Sequence, residues 1–166
     1  DKWPMNEVVK QVTAMRDANG NGMVFFSSGG LDRAASYLNK ENRFPYLANI
    51  PPMPWKDDQP PMDPANLTAE YMFNGMVKLT WNAPDSSLEP VDIRCYIIFR
   101  SQNEPLNIGS PAHLYHVVTA ADTVFFDADV VQGKSYFYTV TALDRVNNES
   151  PPSNEVNISI PQLVSR

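Results

Sequence analysis

Hydrophobic positions along this chain follow three rhythms, and the changes between them mark its organisation. From Asn6 to about Ala18, Val8, Val12 and Met15 recur at helical spacing, and Asn19-Gly20 supplies a stop, because both residues tolerate the left-handed backbone that ends a helix. Met23-Val24-Phe25-Phe26 follows without any alternation, the pattern of a parallel strand covered on both faces. Leu31 to about Asn39 returns to helical spacing, with Leu31, Ala34, Ala35 and Leu38 on one face. One parallel strand has no neighbour for its backbone groups, so this αβα piece, residues 1–50, is expected to be the end of a larger α/β unit. Residues 51–64, PPMPWKDDQPPMDP, carry no period at all and read as a linker, since each Pro also pushes its predecessor out of the helical region. Beyond it the period becomes two. Strands are expected near 66–71, 76–82, 93–100, 114–119, 123–127, 135–143 and 155–160, spaced as an antiparallel sandwich over 65–161 requires.

Alternation also assigns the sandwich core. Trp81 points inward with Val77 and Leu79, and Tyr136, Tyr138 and Val140 do so with Ala142. The turn Val131-Gln132-Gly133-Lys134 stands just before Tyr136, which suits a buried tyrosine whose hydroxyl bonds the backbone of the preceding corner. The strand near 93–100 is apolar on both faces, with Tyr96 and Ile98 opposite Cys95, Ile97 and Phe99. A free-standing sandwich keeps one face polar, so its outer side is expected to be covered, most simply by the α/β piece and the linker.

Composition narrows the partners. A net charge of −6 with no basic cluster argues against nucleic acid and anionic membrane surfaces, and no apolar stretch approaches the roughly 18 residues a membrane helix needs. The chain begins at Asp1 without Met, which reads as an internal fragment or a processed protein. Cys95 is the single cysteine, so neither an intrachain disulfide nor a multi-cysteine zinc site can form.

Four stretches, VKLTWNAP at 77–84, CYIIFRS at 95–101, VFFDADVVQGKSYFYTVTALD at 124–144 and NNESPPSNEV at 147–156, resemble a fibronectin type III domain of the bacterial kind in order and spacing. The first part, through GMVFFSSGGL at 22–31 and RFPYLANIPPMPWKDDQPPMDP at 43–64, is similar to the last strand and exit segment of a (β/α)-barrel in glycosyl-hydrolase-like bacterial envelope lipoproteins. The fold class implied is mainly β, an immunoglobulin-like (fibronectin type III) sandwich preceded by an αβα barrel fragment. This resemblance implies a parent enzyme acting on glycosidic bonds at the cell envelope or outside the cell. Its paired carboxylates would lie on earlier barrel strands, leaving this fragment inactive and its first partner the upstream barrel of its own chain.

Chemistry-bearing groups are few. Ser27-Ser28-Gly29-Gly30 sits where a barrel strand would meet its active-site face, so its N–H groups suit a sugar hydroxyl, although Ser and Gly are also ordinary helix caps. Trp55 suits either packing between domains or stacking on a sugar ring. Asp57, Asp58 and Asp63 match no calcium loop. His113 and His116, three apart on a strand, point to opposite faces and read as surface residues. Asn66, Asn148 and Asn157 head glycosylation triplets, a pattern common by chance. No cofactor or metal is implied. The expected function is an accessory or spacer module of an envelope glycoside hydrolase, and the alternative is a module that binds polysaccharide, peptidoglycan or protein through its loops.

Overall fold

The computed structural model describes residues 5–19, 35, 38, 46–85 and 92–162, and it divides into two units, residues 1–46 and 47–166. In the first, helix α1 spans Met5–Asp17, and Asn19 takes φ 55°, the left-handed conformation expected of its stop. Val12 is buried against Leu38, with Val8 and Val9 packed on the pair. Leu38 and Ala35 are both helical, but Ala35 is exposed, so the apolar face expected to carry it does not include it. A small alanine gains little from burial. The strand expected at 23–26 and Ser27, Ser28, Gly29 and Gly30 lie outside the described residues.

The second unit holds seven strands: β1 Ala65–Tyr71, β2 Val77–Asn82, β3 Ile93–Ser101, β4 Leu114–Thr119, β5 Val124–Asp127, β6 Ser135–Asp144 and β7 Val156–Ser159. They form two antiparallel sheets, β1-β2-β5 and β4-β3-β6-β7. Every expected strand is present within a residue or two, because polar turns and period-two alternation agree along this stretch. The inner faces enclose Leu67, Val77, Leu79, Trp81, Tyr96, Ile98, Tyr136, Tyr138, Val140, Ala142 and Ile160. Trp81 meets Tyr96 edge-on with ring centroids 5.5 Å apart. Val131 N–H donates to Tyr136 Oη at 2.9 Å, closing the corner before β6.

The outer face of β3 is buried as well. Cys95, Ile97 and Phe99 pack with Leu143 of β6, and Leu106 and Leu114 lie against them. The sandwich therefore supplies cover for this face from its own 102–113 loop and β4, a source the strand pattern alone did not suggest.

Two edges are closed by side chains instead of strands. Pro151 and Pro152 cannot donate to a ladder, and beside them the Ser150 and Ser153 hydroxyls accept from Ala142 N–H at 2.9 Å and Val140 N–H at 3.1 Å. Asn154 spans the free edge of β1: its Oδ1 accepts from Leu67 N–H at 2.9 Å and its Nδ2 donates to Leu67 C=O at 3.0 Å, as a strand would. Leu67 is buried, so Asn154→Ala strands both of its backbone groups. A loss of about 1–3 kcal/mol is expected in denaturant titration, with Asn154→Gln recovering little of it because the longer amide misses the register.

Candidate functional site

The segment read as a linker is fastened to the sandwich. At its far anchor, Asp144 ends β6 and its carboxylate organises the next turn, with Oδ1 accepting from Val146 N–H at 2.8 Å and Asn148 N–H at 2.9 Å. Asn147 takes φ 67° in this turn, a conformation asparagine tolerates better than branched residues. The turn so shaped presents one acceptor and two amides to the Pro-rich segment. Val146 C=O accepts from Met53 N–H at 2.9 Å, and Asn147 Nδ2 donates to Pro51 C=O at 3.4 Å. Asn148 Nδ2 is shared among Asp144 Oδ2 at 2.9 Å, Asp57 C=O at 3.1 Å and Gln59 C=O at 3.3 Å. Within the segment Lys56 N–H returns to Met53 C=O at 2.9 Å, and the Asp57 carboxylate accepts from Gln59 N–H. The result is a fixed bend with Trp55 on its crest, 77% exposed.

Trp55 is the one candidate binding residue that the described structure places, and it does not pack into the sandwich. Asp57 and Asp58 bond Gln59, and among the described residues no three His, Cys, Asp or Glu side chains are grouped as metal ligands. His116 is exposed on β4, whereas His113 precedes that strand and is half-buried, its Nδ1 within 2.9 Å of Asn107 N. The core residues Trp81, Tyr96, Tyr136, Tyr138 and Val140 are all buried as expected.

Sequence reasoning did not find the other organised cluster, a charged clamp between the sheets. Asp127, the last residue of β5, is fully buried and receives Arg100 Nη1 at 2.7 Å, Tyr138 Oη at 2.7 Å, Tyr115 Oη at 2.7 Å and Asp129 N–H at 2.9 Å. The Arg100 guanidinium lies 3.6 Å above the Tyr115 ring. Period two does place Asp127 inward, two residues after Phe125, but a lone Asp closing a strand reads as a turn residue. Fully buried and bonded from three other strands, this carboxylate ties β3, β4 and β6 to β5, while the Tyr115 hydroxyl also lies 3.1 Å from Asp129 Oδ2.

Burial alone would raise the Asp127 carboxyl, but the bonds from Tyr115, Arg100, Tyr138 and the Asp129 N–H favour its charged form and hold it below the usual range. Burial, then the bond to Asp127, pushes the Tyr138 and Tyr115 hydroxyls well above theirs. The carboxylate's contribution is complete above its unfolded value of about 4 and is lost as pH falls through the lower folded value; that of the tyrosines is complete below about 10 and is lost as pH rises further. Thermal unfolding followed across pH is expected to show a plateau between these limits and a decline on both sides.

No protein-family model matches this sequence, and no curated protein is similar to it at a significant level. Among solved structures, the third fibronectin III domain of the human KIAA0343 protein superposes with a TM-score of 0.52 at 13% identity, over 66% of this chain and 89% of that one. The FN1–FN3 domains of chicken CNTN1 give 0.50 at 13% identity over 62% of this chain and 32% of that one. An Fn3-like protein from Clostridium thermocellum gives 0.48 at 24% identity over 64% of this chain and all of that one. At such identities the likeness is one of fold. With three strands facing four in this order, and the tyrosine corner before β6, the second unit has the fibronectin type III fold.

Proposed function

We propose that this chain is a non-catalytic accessory module that holds a preceding domain at a set position, the parent protein being a glycoside hydrolase of the cell envelope or exterior whose catalytic carboxylates lie outside these residues. The observation that carries the reading is the fastening of residues 51–59 to the turn after β6, through Met53, Asn147 and Asn148. A free tether needs no such bonds, whereas a spacer that fixes geometry does. The envelope setting and the hydrolase parent rest on the sequence resemblance alone.

A second reading, glycan binding, is favoured by one feature, the exposed indole of Trp55 on a fixed bend. Incubating the chain and its Trp55→Ala variant with insoluble polysaccharides and with peptidoglycan separates the two. The spacer reading expects both proteins in the supernatant. Retention of the parent chain alone would make Trp55 a sugar platform, and retention of both would move binding elsewhere on the module. Either result overturns the spacer.

A further inference from the structure

The bonds that fasten the Pro-rich segment are few, and burial changes sharply along it. From Pro51 to Pro60 only Met53 is half-buried and every other residue is exposed, whereas Pro61, Pro64 and Leu67 are buried. Among the described residues, four hydrogen bonds to three consecutive residues, Val146, Asn147 and Asn148, hold ten residues that add almost nothing to the core. Stability is unevenly distributed in proteins, and a segment with exposed side chains and a handful of bonds opens at far lower cost than a sheet core. Asn148 carries two of the four bonds on one nitrogen and shares that nitrogen with Asp144, so its amide controls them together.

We propose that residues 51–60 form a detachable strap, which lifts off the turn after β6 while the sandwich stays folded and hinges at the buried Pro61. The proposal rests on the spacer reading and adds a second, longer setting to it. Prolines at 51, 52, 54 and 60 keep the released segment extended, at about 3.1 Å per residue, so release lengthens the tether by up to roughly 30 Å. The docked strap fixes the preceding domain; the released strap lets it reach.

Amide exchange in the full chain tests this. Met53 N–H, bonded to Val146 C=O, is expected to exchange at least about a hundredfold faster than Ile98 N–H in the core of β3, and Asn148→Ala to speed Met53 about tenfold further through loss of two neutral bonds. Because Asn148 also bonds Asp144, Met53→Pro serves as the second variant: it deletes the donor without touching the turn. It is expected to raise cleavage after the exposed Lys56 by a lysine-specific protease about tenfold and to leave the unfolding midpoint in place. Met53 and Ile98 exchanging at one rate, or Met53→Pro lowering the midpoint, would show that the strap opens only with the whole sandwich and would overturn the proposal. That failure leaves the spacer reading intact, and retention of the chain on a polysaccharide would remove the spacer reading alone.

Discussion

Asp127→Ala is expected to destabilise the sandwich by about 3–5 kcal/mol in denaturant titration, because it removes one partner of a buried ion pair and leaves the other. The cost has identifiable parts. Arg100 loses its carboxylate while remaining mostly covered by the Tyr115 and Tyr136 rings, and the Tyr138 hydroxyl, fully buried, loses its acceptor. Asp129 N–H loses a partner as well. Asp127→Asn is the more informative companion, since it keeps the shape and can still accept through one oxygen. It is expected to recover part of the loss and to abolish the acid limb of the pH plateau while the alkaline limb, set by Tyr138 and Tyr115, persists. An acid limb that survived in Asp127→Asn would place its origin in other carboxyl groups.

Trp81→Ala should cost a similar amount, about 3–5 kcal/mol, by a different route. The ring lies on the inner face of β2, 2% exposed, and fills the space between the sheets against Tyr96. Its removal opens a cavity that β2, paired on both sides with β1 and β5, is poorly placed to close. Trp81→Phe separates packing from polarity. Among the described residues the indole Nε1 meets no hydrogen-bond acceptor, so the Phe variant gives up mainly volume, and it is expected to lose well under half of what Ala loses. Calorimetry or denaturant curves on the pair would check the ratio. Equal losses for the two variants would mean the indole N–H is bonded after all.

What was readable in the sequence tracks how local its cause is. Strand limits in the second unit followed from alternation and turn residues, both local, and Tyr136 was identified through the corner it bonds five residues earlier. The clamp was not readable. Arg100, Tyr115, Asp127 and Tyr138 come from four strands, and nothing in any one strand says that a guanidinium and a carboxylate will meet inside. The strap was hidden for the same reason: Pro-rich composition marks a linker, but its fastening depends on amides about ninety residues away in the turn after β6. Ala35 shows the limit within a helix, where a weakly hydrophobic residue was assigned to the buried face and is exposed. Trp55 reads from sequence as suiting either packing between domains or sugar stacking, and its exposed presentation on a bend follows from the same distant bonds.

The Pro-rich segment is held in one place on the sandwich. Spin labels attached at Ile50→Cys and Glu155→Cys, both exposed positions, in a Cys95→Ala background would report it through their distance distribution. The fastened segment predicts a single narrow distance, broadening in Asn148→Ala. A broad distribution in the unaltered segment, of the width expected for a free tether, would contradict the account.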